Sequence, residues 1–118
     1  MPLVRIVTSA EPTKPSTGGD ALLRDLSAVL ARELGKPESY VMTCLEPRAK
    51  MTFGGSDQAA CYVEVKNVGT LAADVTSRLS ALITQRISEA LGVARDRIYI
   101  EFADARPHMW GYDGGTFA

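Results

Sequence analysis

The chain has 118 residues, 46% of them hydrophobic and 23% charged, with a formal net charge of −1. That is the composition of one globular domain, expected to span residues 1–118 around a single two-layer core. The near-neutral balance gives no support for a nucleic-acid or anionic-membrane partner, and no apolar run approaches the roughly 20 residues that span a bilayer.

The opening Met1-Pro2-Leu3-Val4-Arg5 lacks the cationic stretch and apolar block of a signal peptide. A cytoplasmic location is the default expectation, with release without a signal peptide left open. Leu3–Thr8 reads as a β-branched strand, followed by the polar, proline-rich stretch Ser9–Gly19. Asp20–Leu34 is expected to be a helix, because Leu22, Leu23, Leu26, Val29, Leu30 and Leu34 recur at spacings of three and four. Gly35 stops it, Pro37 follows, and Tyr40–Leu45 is a second strand candidate.

The second half repeats this order. Cys61–Lys66 reads as a strand, Val68-Gly69-Thr70 as a turn and Leu71–Leu91 as a helix with Val75, Leu79, Leu82, Ile83 and Ile87 on one stripe. Gly92 closes that helix, and Arg97–Ala103 is a strand with Ile98, Ile100 and Phe102 alternating. Leu3 corresponds to Cys61 and Leu34-Gly35 to Leu91-Gly92 at nearly one offset, so the chain reads as two βαβ units. The expected class is α+β: a four-stranded mixed sheet with two antiparallel helices on one face. Tyr40-Val41-Met42 and Tyr62-Val63 carry apolar residues at both parities, which predicts a second apolar sheet face covered by self-association. The tail Gly111–Gly115, ending in Thr116-Phe117-Ala118, is expected to form an edge or intersubunit strand.

Cys44 and Cys61 form no CxxC pair and are expected to be small buried hydrophobes. His108 is the single histidine, which excludes a multi-histidine metal site, and no metal or cofactor is expected.

Pro2 carries the candidate chemistry. A small second residue favours removal of Met1, which leaves a secondary amine. A free α-amine titrates near 8 in water. Burial and a neighbouring cation both disfavour the ammonium, so the amine becomes a usable base near neutrality. The strand after Pro2 anchors it at the sheet. Lys36, just past a helix end, is placed either to meet a substrate carboxylate or merely to sit as a solvated helix-end cation. With Met1 retained, the Pro2 nitrogen is an amide and not a base.

Several motifs together resemble the macrophage migration inhibitory factor family. They are Met1-Pro2-Leu3-Val4, Gly35-Lys36-Pro37 with Tyr40, Met51-Thr52-Phe53-Gly54-Gly55-Ser56, Asp96-Arg97-Ile98-Tyr99-Ile100 and Thr116-Phe117-Ala118. The likeness runs the whole chain, and the ending favours this family over the related D-dopachrome tautomerases. It implies a homotrimer with active sites between subunits and keto–enol tautomerisation of phenylpyruvate-like 2-oxo acids, with dopachrome-like compounds as further substrates. It implies Pro2 as catalytic base and Lys36 as the carboxylate-binding cation. Val68 would offer its backbone amide, Leu3 would follow the base, and Tyr99 would come from the adjacent subunit. Trp110 and Tyr112 would stand at the rim, either reshaping the mouth or packing between subunits. The alternative function is a cytokine-like interaction trimer with weak or vestigial tautomerase activity, though no receptor is legible; a small-molecule carrier is a third.

Two departures from the family pattern bear on chemistry. Glu101 replaces a common asparagine, and a carboxylate near Pro2 favours the ammonium and repels an anionic substrate unless it pairs with Lys36 or Arg106. Ala60 and Val63 stand where some members carry a CxxC, so thiol-oxidoreductase activity is not expected.

Overall fold

The computed structural model describes residues 1–12 and 19–118, so residues 13–18 of the polar stretch lie outside the described residues. β1 (Leu3–Thr8) leads to α1 (Gly19–Leu34) and β2 (Met42–Glu46), and β3 (Cys61–Val68) leads to α2 (Ala73–Leu91) and β4 (Ile98–Ala105). The sheet order is β2-β1-β3-β4. β1 pairs parallel with β2, β3 pairs parallel with β4, and the two units meet through antiparallel β1 and β3. This is the expected two-βαβ sheet with both helices packed on one face.

The boundaries differ in places. Tyr40 belongs to a short 3-10 turn over Glu38–Tyr40, so β2 starts at Met42. Pro37 directly before that turn fixes a φ of −63° and steers the chain into it. Val68 is the last residue of β3 and not part of a turn, and α2 begins at Ala73 instead of Leu71.

The core follows from two periodicities meeting. Leu22, Leu26, Val29 and Leu30 of α1 and Leu79, Ile83 and Ile87 of α2 are buried at helical spacing. All of these but Val29 close over Val4, Ile6, Val63 and Val65, the inward-pointing alternate residues of the two central strands. Each such side chain contributes about 1.5–3 kcal/mol on leaving water. Gly35 ends α1 with φ 61° and Gly92 ends α2 with φ 70°, the left-handed conformation that glycine adopts without a Cβ clash. The Lys36 amide then bonds back to the Ala31 carbonyl at 3.0 Å, fixing where that lysine leaves the helix.

The other sheet face is mixed, with exposed apolar residues such as Met42 and Tyr99 among charged ones. Pairing registers place Leu3, Arg5 and Val7 of β1 beside Met42, Cys44 and Glu46 of β2 and Tyr62, Glu64 and Lys66 of β3. Arg5 bridges Glu46 at 2.6 Å and Glu64 at 3.2 Å, and Lys66 lies 3.8 Å from Glu64. The face is a charge lattice between apolar patches, because the strand alternation that put Val and Ile inward puts Arg, Glu and Lys outward. Cys44 sits on this face half-buried, whereas Cys61 is fully inside, where burial pushes its thiol up to about 12. Cys61 is therefore the small inert hydrophobe expected, and Cys44 is only partly so.

The tail also departs from expectation. Gly111–Tyr112 (β5) and Gly115–Thr116 (β6) pair with each other as a small hairpin on their own chain. Asp113 and Gly114 between them have φ 50° and 81°, the double positive φ of the type I′ turn that Asp-Gly favours.

Candidate active site

Pro2 is buried at the head of central strand β1, and its carbonyl accepts the Met42 amide at 3.0 Å. It borders a cavity of about 240 Å³ together with Met1, Tyr40, Trp110, Tyr112 and Phe117. Leu3 lines the same space. Tyr40 meets Tyr112 edge-on at 5.3 Å and Phe117 at 6.0 Å, and Tyr112 stacks on Phe117 at 5.5 Å with planes 16° apart. The tail hairpin sets Tyr112 against Tyr40 and Phe117, and the amide of Phe117 bonds the carbonyls of Trp110 and Pro107, both at 3.2 Å. The result is an aromatic wall facing the N-terminus. Within the single chain, Trp110 and Tyr112 both line this cavity with Pro2.

Lys36 and Val68 come together across the helix end. The Lys36 ammonium donates to the Val68 carbonyl at 2.9 Å. Both border a second cavity of about 230 Å³ with Asn67, Gly69 and Thr70, at the start of α2. Asn67 faces inward at 3% exposure, a buried polar residue that nothing in the strand pattern announced, and its side-chain oxygen has no partner among the described residues.

Lys36 also acts on the first cavity. Burial lowers the pKa of the N-terminal ammonium, carried here by Met1, and the charge and hydrogen-bonding of Lys36 lower it further. Removing Met1 moves that amine one residue inward, to a position that is already buried. Both effects favour a neutral amine.

A charged or aromatic pocket beside an amine is common chemistry, and the fold assigns it a lineage. The family model described as macrophage migration inhibitory factor (MIF) matches residues 1–118. The chain belongs to the macrophage migration inhibitory factor family. It is 43% identical to the macrophage migration inhibitory factor homologue from Prochlorococcus marinus, with a TM-score of 0.90 over 98% of this chain and 99% of that one. The macrophage migration inhibitory factor of Toxoplasma gondii is similar at 31% identity, with a TM-score of 0.88 over 98% and 99% of the two chains. The homolog from Trichuris trichiura is 36% identical over 95 residues, 80% of this chain and 83% of that protein.

Within this member of the macrophage migration inhibitory factor family, Tyr99 and Glu101 do not join Pro2. The register aligns Leu3 with Lys66 and Lys66 with Ala103, so Tyr99 stands four residues farther along the edge strand β4. From Leu3 that is roughly 13 Å along the strands and roughly 10 Å across two of them, and one residue more from Pro2. Tyr99 is 65% exposed on the face away from the helices. Within the chain Glu101 pairs with neither Lys36 nor Arg106; the Tyr62 hydroxyl on the neighbouring strand donates to it at 2.6 Å.

The Glu101 carboxylate is also the first cause that pushes the Tyr62 phenol up to about 12. The Tyr62 proton is held first because losing it gives up its hydrogen bond to Glu101, and further because it would set a phenolate beside a carboxylate. In a spectrophotometric titration, Glu101→Gln is expected to return one of the four tyrosines to ionisation near the ordinary value of about 10. An unchanged titration would place the restraint on Tyr62 elsewhere.

Proposed function

We propose that this protein is a keto–enol tautomerase for phenylpyruvate-like 2-oxo acids, with Pro2 as its base after Met1 is removed. Membership of a family within the tautomerase superfamily makes an isomerase the natural class. The observation that carries the reading is an N-terminal amine whose pKa is lowered by burial and by Lys36, in a cavity walled by aromatic rings.

The Pro2 nitrogen takes a proton from the carbon next to the substrate carbonyl, and the electrons move onto oxygen to give the enol. In the reverse direction Pro2 returns that proton to carbon. Lys36 binds the substrate carboxylate, trading its Val68 carbonyl for a charged acceptor, and the Val68 amide orients the substrate. Leu3, Trp110 and Tyr112 with Tyr40 and Phe117 receive the aromatic ring. Tyr99 reaches the site from a neighbouring subunit of a homotrimer, bringing Glu101 near it on the same strand. The separation of Tyr99 from its own Pro2 and its exposure on an edge strand support this arrangement.

The experiment is a pH–rate profile on protein whose intact mass verifies loss of Met1. Catalysis needs the neutral amine, so kcat/KM rises with pH as the ammonium deprotonates. Because burial and Lys36 lower that pKa, the rise is expected below the ordinary α-amine value of about 8. A rise clearly above it would mark Glu101 of the neighbouring subunit as favouring the ammonium. Lys36→Gln removes the cation, so the limb moves to higher pH and KM for phenylpyruvate rises. A limb that stays in place would remove Lys36 from the tuning of the base.

A further inference from the structure

The middle of the loop between β2 and β3, residues 53–59, is gathered by one side chain. Arg97 ends a short 3-10 turn over Arg95–Arg97, immediately before β4. Its Nε donates to the Ala59 carbonyl at 3.0 Å and its Nη1 to the Phe53 carbonyl at 3.1 Å. Its Nη2 donates to the carbonyls of Ser56 at 3.2 Å and Gln58 at 3.0 Å. One planar guanidinium with five donors therefore satisfies four backbone acceptors of one short segment, a task the point charge of a lysine cannot perform.

Within itself that segment makes few bonds. Phe53 and Ser56 exchange two backbone hydrogen bonds around Gly54 and Gly55, which have φ 61° and 76°. The Phe53 ring leans on Arg97, whose guanidinium carbon lies 5.2 Å from the ring centre. Its other contact is the Tyr99 ring, 4.6 Å away and tilted by 48°. Tyr99 is otherwise 65% exposed, and its cross-strand neighbour Tyr62 directs its hydroxyl to Glu101.

We propose that Arg97 is a positioning residue for Tyr99, holding the 53–59 segment so that Phe53 fixes the ring Tyr99 presents to the neighbouring subunit's substrate. Clamping the ring in advance removes the rotamer entropy that an exposed tyrosine loses on meeting a ligand. The assignment rests on the reading of Tyr99 as a substrate contact supplied across a subunit boundary.

The test compares Arg97→Lys with Phe53→Leu, the latter leaving all four clamp carbonyls in place. The Tyr99 ring resonances are followed by NMR, and kcat and KM for phenylpyruvate are measured on Met1-free protein. Both variants are expected to move the Tyr99 resonances towards those of an unpacked tyrosine. Both should raise KM about threefold to tenfold while kcat stays within about twofold, as expected for lost preorganisation. In a Tyr99→Ala background, Arg97→Lys should raise KM no further, since the two residues act through one contact. Wild-type Tyr99 resonances in Arg97→Lys overturn the proposal, as does an equal KM increase with and without Tyr99. A wild-type protein without turnover would instead sink the tautomerase reading, and the resonances would still decide whether Arg97 positions Tyr99.

Discussion

Replacing Pro2 by glycine in Met1-free protein is expected to cut phenylpyruvate tautomerisation at least roughly tenfold, and unchanged turnover would end the tautomerase assignment. Glycine is a demanding substitute because it keeps an α-amine at the same position and stays small enough for Met1 removal. What it loses is the ring, which fixes the direction of the nitrogen lone pair and fills the buried place at the head of β1. A positioned base contributes about 10²–10⁴-fold, so a surviving but poorly directed amine should forfeit a sizeable part of that. The comparison needs intact-mass measurement of both proteins. Retained Met1 turns the Pro2 nitrogen into an amide, and that form is expected to be inactive for the same reason.

The second large effect is on stability. Ile83→Ala removes a side chain with 0% exposure at the centre of α2, where it packs with Leu79 and Ile87 over the inner sheet face. A cost of about 2–5 kcal/mol is expected, a large share of the roughly 5–15 kcal/mol that holds a domain of this size folded. Gln85→Ala on the same helix serves as the control. Its amide bonds only Glu89, at 3.2 Å on the exposed side, so a change within about 0.5 kcal/mol is expected. Urea unfolding at a fixed protein concentration checks both, since self-association makes apparent stability depend on concentration. Equal losses would mean that the helix faces had been misassigned.

These expectations show how unevenly the sequence speaks. The helix stripes, the glycine stops and the paired βαβ order were legible because periodicity is a local property of the chain. The neighbourhood of Pro2 was legible in part. Lys36 was placed at a helix end, but its grip on the Val68 carbonyl depends on how far α1 runs before Gly35 turns it. The aromatic wall was read only at Trp110 and Tyr112. Tyr40 and Phe117 were seen as family motifs without a place, since an Asp-Gly turn reveals its hairpin but not what the hairpin folds against. Arg97 and Phe53 were likewise motif residues, and only the loop's return past the start of β4 brings them together.

The sequence by itself determined the α+β class, the doubled βαβ order, the inward faces of both helices and the candidate base at Pro2. Spacing along one chain is sufficient for the first three, whereas Pro2 stood out by its place after Met1 and by the family resemblance. Tertiary structure alone decided that the outer sheet face is a lattice of Arg5, Glu46, Glu64 and Lys66, and that Glu101 is engaged by Tyr62. It also decided that Tyr99 lies far along the sheet from its own Pro2. The reason is register: cross-strand neighbours are set by how β1 slides against β3 and β3 against β4, and no local pattern records that offset.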